Sequence, residues 1–337
     1  MTYMSVHHYV LILLVGLISV IVSYIWNGCL LQPASVDTAD RPNAQSPTCA
    51  YGKASFILPG MKSCHPLLDC RQIRENVTIK DTFGQGAVKL VRRGVWQNHQ
   101  VAVNTLKNSS YIEDFSHGLH MLRQLPPTVN VTQLVGVCEL DHIFVTEFHP
   151  LGSADQLESV LQREDLRRLD TLAVRFSLCE QYVKILHSLH TLPEGARVMC
   201  DSNFLEKTLS QFLLRDDLSL ALNDVDALPL VDRTHGHLVK CGHRELFGEF
   251  VAPEQLWPYE DREFSDAEMP GYDEKVDIWK VPDVCEAFLN GVEGGAKIRL
   301  QLLSAHLQCK SDKPSDRLSA LELLKAYESV REKLKLT

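Results

Sequence analysis

The plainest chemistry in this sequence lies between Phe83 and Val91, in the run Phe-Gly-Gln-Gly-Ala-Val-Lys-Leu-Val. Gly84 and Gly86 lack the Cβ that keeps a backbone away from a ligand, so their amides can approach phosphate oxygens closely. Lys89 follows with an ammonium, and Val91 adds an apolar surface. Clustered phosphate oxygens carry several negative charges, and in a partly desolvated cleft they need a nearby cation. The run therefore points to a nucleotide; the alternative is an exposed hairpin on which Lys89 is one basic residue beside Arg92 and Arg93. Ten residues on, Val101-Ala102-Val103-Asn104 reads as a strand, which places Ala102 and Asn104 on one face.

These segments resemble parts of the protein-kinase family in their order. The first resembles the glycine-rich loop, with Lys89 where the third glycine stands and Val91 where a valine packs on the base. The second resembles the V-A-I-K strand, with Asn104 in place of the lysine and Ala102 beside the base. The resemblance implies that Lys89, one strand over, supplies the missing ammonium, an arrangement with precedent in the with-no-lysine kinases. Apolar residues at Phe115, Leu119, Leu122 and Leu125 predict a helix where the kinase αC belongs. Its glutamate would fall at Gly118, and Glu113 is the nearest acid. Leu134–Cys138 and Ile143–Phe148 read as two apolar strands, the second running into a hinge where backbone groups around Glu147 and Phe148 would bond adenine.

In the second half, Val198-Met199-Cys200-Asp201-Ser202-Asn203 resembles the catalytic loop, and the match implies that Asp201 takes the proton of an attacking hydroxyl. Met199 and Cys200 replace the usual histidine and arginine, which implies no regulation through a phosphorylated activation loop. Asp224 matches the aspartate that binds the metal bridging the phosphates, a role for a hard oxygen ligand. Counting back to the usual second ligand reaches Gln211, an amide of the same chemistry; the segment from Asp201 is longer than normal and must bulge. Asn203 and Asp226 are further ligand candidates. Val251-Ala252-Pro253-Glu254 resembles an A-P-E segment, whose glutamate pairs with an arginine placed like Arg317, and Asp277 stands where an aspartate holds the catalytic loop's backbone. The implied fold is α+β, two-lobed and protein-kinase-like, with an N-terminal lobe at about 51–148 and a C-terminal lobe at about 149–337.

Ahead of it, Tyr9 to Trp26 is free of charge and long enough to cross a hydrocarbon core of roughly 30 Å, with aromatics at its edges. It is expected to be a transmembrane signal-anchor, with residues 1–8 a short cytoplasmic tail and 27–50 a polar stem. A cleaved signal peptide is the alternative, but the first eight residues hold no Lys or Arg. Sequons at Asn76, Asn108 and Asn130 and a total of ten cysteines suggest an oxidising lumen. The cysteines show no metal spacing, which argues against zinc. The sequence does not fix their pairing; Cys64 with Cys70, Cys200 with Cys241 and Cys285 with Cys309 are the candidate pairs, while Cys138 and Cys179 read as buried thiols. A net charge of −9 argues against nucleic acid.

The runs Met199–Asn203, Asn223–Asp232 and Val251–Pro258, on a lumenal kinase-like domain, closely resemble the atypical lumenal family of O-mannose kinases. That resemblance spans the chain. It implies ATP, with Mg²⁺ or Mn²⁺ on Asp224 and Gln211, phosphates on Lys89, and Asp201 as base. The implied acceptor is the C6 hydroxyl of mannose in a GalNAc-GlcNAc-mannose glycan on α-dystroglycan, phosphorylated at the endoplasmic reticulum by a single-pass type II membrane protein so that the laminin-binding glycan can be extended. Two alternatives stand beside it: a catalytically dead lumenal domain that binds glycan or a glycosyltransferase, and a receptor with a cytosolic kinase domain.

Overall fold

The computed structural model describes residues 49, 54–126, 129–232, 235–242 and 244–336. The tail, the apolar segment 9–26 and nearly all of the stem lie outside these residues; no helix among those described is long and apolar enough to cross a membrane. A short hairpin, β1 (Ser55–Phe56) with β2 (His65–Pro66), opens the fold and leads to α1 (Cys70–Asn76). A capping box starts that helix: Asp69 accepts from Gln72 N–H while the Gln72 side chain accepts from Asp69 N–H.

Next come β3 (Thr78–Gln85), β4 (Lys89–Trp96), β5 (His99–Leu106), α2 (Ile112–Gln124), β6 (Leu134–Cys138) and β7 (Ile143–Glu147). The five strands form one antiparallel sheet in the order β3-β4-β5-β7-β6. Gln97 and Asn98 both have positive φ, 45° and 69°, as a two-residue hairpin between twisted strands requires. One face of the sheet is closed by a small core of Phe56, Leu68, Trp96, Val101, Val103, Val135 and Val145. The other face is the one that matters for chemistry.

The second half is mainly helical. In chain order it holds α3 (Leu157–Leu161), α4 (Leu172–His190), β8 (Ala196–Arg197), α5 (Leu205–Ser210), β9 (Phe212–Leu214), β10 (Leu220–Leu222), β11 (Leu230–Val231), α6 (Lys275–Leu289), α7 (Gly295–Cys309) and α8 (Ala320–Leu334). Its core runs through Phe176, Leu186, Phe212, Ile278, Val281 and Leu323 and continues without a break into Phe115, Leu119, Leu122 and Phe144 of α2 and β7. A mixed architecture of this kind, a five-stranded sheet followed by a helical body, fits a kinase-like fold.

Four disulfides are present among the described residues: Cys49–Cys64, Cys70–Cys138, Cys179–Cys285 and Cys200–Cys241. The expected Cys64–Cys70 and Cys285–Cys309 pairs are corrected. Leu68 N–H bonds Val135 C=O at 2.9 Å, which lays the start of α1 along β6 and puts Cys70 beside Cys138, 4.4 Å apart at Cα. Cys179 on α4 faces Cys285 on α6 at 5.0 Å because the two helices pack together, so neither Cys138 nor Cys179 is a free thiol. Cys309 is the buried free cysteine among those described, its thiol pushed up to about 12 by burial.

Candidate active site

Register assembles the upper wall of the cleft. In antiparallel pairs, directly opposed residues share a face and alternate along each strand. Gly84 opposes Val91, Val91 opposes Asn104, Arg93 opposes Ala102, and Ala102 and Asn104 oppose Thr146 and Phe144. Lys89 and Val91 therefore lie on the same face as Ala102 and Asn104. A Cβ built on Gly84 or Gly86 meets nothing within 4 Å, so neither glycine is required by a neighbouring side chain. The open space at both positions is what a phosphate cradle needs.

Asn104 does not reach for a ligand. It is buried, and its Nδ2 donates to Thr146 Oγ1 and to Ala102 C=O, both at 3.3 Å. Lys89 crosses the cleft instead: its Nζ lies 2.6 Å from Asp224 Oδ1 and 3.2 Å from Asp226 Oδ2. Burial by itself would depress the Lys89 ammonium, but the two carboxylates outweigh it and hold the pKa above the usual value. The two acids separate in response. Asp224 is partly buried yet held below the ordinary carboxylate range by Lys89, with Lys207 adding to it; Asp226 is pushed up to about 6 by burial and by its neighbour Asp224.

The missing αC glutamate has a steric explanation. Gly118 on α2 lies so close to Asp226 that an added Cβ would sit 3.1 Å from its Cβ and 3.5 Å from its Cα. A larger residue there would displace Asp226, which occupies the place beside Lys89. Glu113, the considered substitute, is exposed on the first turn of α2, whereas the ion-pair partners of Lys89 are Asp224 and Asp226.

Gln211 and Asp224 are neighbours because of a hairpin. β9 and β10 pair Phe212 with Leu222, so the residues just outside the pair meet, and Gln211 C=O accepts from Asn223 N–H at 2.8 Å and Asp224 N–H at 3.3 Å. Gln211 is buried, and its Nε2 donates to Lys207 C=O at 3.0 Å. A carboxylate and an amide on adjoining backbone would offer oxygen donors of the kind a hard divalent cation takes. Those donors and the glycine loop fit a metal and a nucleotide; Asn203 Oδ1 is buried without a hydrogen-bond partner among the described residues, while Asp226 is engaged by Lys89.

The residues separating Asp201 from Gln211 do not bulge as loose chain. Leu205–Ser210 form α5, and Lys207 on that helix returns to place its Nζ 2.6 Å from Asp201 Oδ2, with both side chains about a third exposed. Nothing in the sequence motifs marks Lys207, although it is a cation within the inserted segment. The loop under Asp201 is pinned at Cys200 N–H to Ala227 C=O, 3.1 Å, at Met199 N–H to Asp277 Oδ2, 3.1 Å, and by the Cys200–Cys241 disulfide.

At the hinge, Glu147 N–H donates to Gln133 C=O at 2.9 Å, which removes it from the groups a base could use. The Glu147 carboxylate accepts from Gln133 N–H at 2.8 Å; burial would raise its pKa, but His149, Arg215 and that amide hold it low. Phe148 meets Phe83 of β3 edge-on with ring centres 4.8 Å apart, an aromatic contact between glycine loop and hinge. Farther out, Arg317 and Glu254 form a two-bond pair at 2.6 and 2.7 Å, with the Arg317 side chain fully buried. Of the sequons, Asn76 and Asn108 are exposed. Asn130 is not available: its Nδ2 donates to Leu220 C=O and its Oδ1 accepts from Arg215 at 2.7 Å.

No family model matches the chain. Protein O-mannose kinase of Homo sapiens is 47% identical over 299 residues, covering 88% of this chain and 85% of that protein. The chain belongs to the protein O-mannose kinase family. Family proteins of the same name from Gallus gallus and Xenopus laevis are 47% and 43% identical, over 87% and 84% of this chain and 82% and 80% of their own length. As a member of that family the chain is a kinase, and the converging Lys89, Asp224, Gln211 and Asp201 are its candidate phosphoryl-transfer residues.

Proposed function

We propose that this chain transfers the terminal phosphoryl group of ATP to the C6 hydroxyl of an O-linked mannose. The acceptor in this reading is the GalNAc-GlcNAc-mannose glycan of α-dystroglycan, and the phosphate licenses extension of its laminin-binding glycan. The observation that carries the reading is the Lys89 ammonium, 2.6 Å from Asp224, at the mouth of a glycine loop with open space at both glycines. A dead domain would have no use for a cation and two acids brought together from segments more than a hundred residues apart. That relatives 47% identical are O-mannose kinases supports the same acceptor class.

Each residue has one task. Lys89 leaves its carboxylates to neutralise phosphate oxygens, and Asp224 with the Gln211 amide would hold the metal. Bound Mg²⁺ or Mn²⁺ supplies charge neutralisation on the phosphates. Asp201 accepts the proton of the mannose hydroxyl as that oxygen attacks, and Lys207, already in contact with Asp201, orients the carboxylate and balances its charge. The site sits in the lumen of the endoplasmic reticulum on a single-pass type II protein anchored by residues 9–26, a placement supported by four disulfides among the described residues. The exposed sequons Asn76 and Asn108 fit the same compartment.

The test is transfer of label from ATP to the free trisaccharide by the purified full chain with divalent metal. Phosphomannose is expected with the natural chain and none with Asp201→Ala at unchanged melting temperature. Binding of the trisaccharide without transfer by the natural chain would make it a lectin-like pseudokinase.

A further inference from the structure

Helix α6 grips the catalytic loop twice, one turn apart. Asp277 takes Met199 N–H at 3.1 Å, and three residues later Lys280, with no exposed surface, donates from Nζ to Ser202 Oγ at 2.6 Å. Ser202 is itself buried; its hydroxyl donates to Met199 C=O and its N–H donates to Cys200 C=O at 2.8 Å. Met199 and Ser202 bracket Asp201, so the base stands on a tight turn whose two ends are tied to each other and then to α6.

An ammonium in a protein core carries a large desolvation cost, and an apolar residue of similar length would fill the same space without it. The cost is visible at Lys280: burial depresses its pKa to about 8, against the opposing pull of Asp277 and Glu254. What the lysine gains for that cost is a fixed Ser202. We infer that Lys280 is a positioning residue for phosphoryl transfer, holding the Ser202 hydroxyl so that the Asp201 carboxylate keeps its orientation toward the acceptor. The inference rests on Asp201 acting as the base, and it extends that reading to a residue outside the cleft.

The experiment compares Lys280→Met, Ser202→Ala, the double variant and Lys280→Gln in the full chain, with Asp201→Asn as control, using ATP and the trisaccharide. Lys280→Met and Ser202→Ala should each lower kcat about tenfold or more, since small misplacements of a reacting group cost that much. KM for ATP should stay within about twofold. The double variant should fall no further than the worse single, because both remove one contact. Lys280→Gln, which keeps a donor for Ser202, should recover part of kcat. These losses should not follow the order of melting temperatures. If Lys280→Met does not fold, Ser202→Ala decides. Natural kcat in either single variant, or losses that multiply in the double, overturns the inference while leaving the function intact. An Asp201→Asn chain that still transfers phosphate would instead overturn the reading on which it rests.

Discussion

Lys89 and Asn104 exchange the tasks that their strands would ordinarily assign. The charge reaches the cleft from β4, and the amide at the usual lysine position is spent on Thr146. Lys89→Ala is therefore expected to lower kcat/KM for ATP about a hundredfold, the scale of losing a fixed charge on a phosphoryl group. Asn104→Ala should leave that constant within about threefold and cost about 1 kcal/mol for the lost buried hydrogen bonds. Steady-state kinetics and urea denaturation of both variants separate the two; the opposite ranking would remove Lys89 from the site. At this scale the sequence was informative where a residue type stands at a motif position, as with Asp277, which holds Met199 N–H, and the Glu254–Arg317 pair. It was silent where a role depends on how an insertion folds. Lys207 reaches Asp201 only because the inserted segment contains α5, and the pairing of Asp226 with Lys89 beside Gly118 has no motif to mark it.

Among the elements, α2 is the one whose departure from the kinase pattern the fold explains. Its apolar residues Phe115, Leu119 and Leu122 are buried as their spacing requires, and Gly118 lets the helix close on Asp226. Rebuilding the ordinary arrangement should then fail. Lys89→Ala combined with Asn104→Lys and Gly118→Glu is expected to stay inactive and to lose about 1–3 kcal/mol of stability to overpacking; recovery of transfer would show that α2 has room for the glutamate. Between α7 and α8, His306 Nε2 meets Tyr327 Oη at 2.8 Å, and burial, with Lys310 nearby, depresses the imidazole to about 4. The unfolded chain takes up that proton near the ordinary histidine value, so it binds more protons than the native state between about 4 and 6.5, and stability rises with pH across that window. His306→Gln should flatten the rise by about 1–3 kcal/mol in denaturation at pH 4.5 and 7. Strand and helix positions were legible in hydrophobic pattern, and the expected Cys200–Cys241 pair forms, but the other cysteine pairs were not legible. Cys70 meets Cys138, and Cys179 meets Cys285, through packing of elements distant in the chain, which no local pattern records.

For the molecule as a whole, the Arg317–Glu254 pair joins the segment before α8 to the one after the activation region. Arg317 also donates to Ser311 and Lys275 carbonyls at 2.8 and 3.0 Å. Arg317→Ala leaves those acceptors and Glu254 without their cation, and should cost about 3–5 kcal/mol in denaturant midpoint analysis, with the natural KM for ATP in the fraction that stays folded. The cleft carries a different kind of coupling. Lys89 lies on Asp224 and Lys207 on Asp201, so each acid is neutralised by the cation it must share or surrender. Were Asp224 to hold a divalent ion, that ion would compete with Lys89 for the carboxylate and free the ammonium, and a phosphate drawing Lys89 away would uncover Asp224. By reciprocity the two ligands must each raise the other's affinity by the same factor. Metal and nucleotide would then bind this cleft as cooperative partners, and a titration of either one alone would underestimate both.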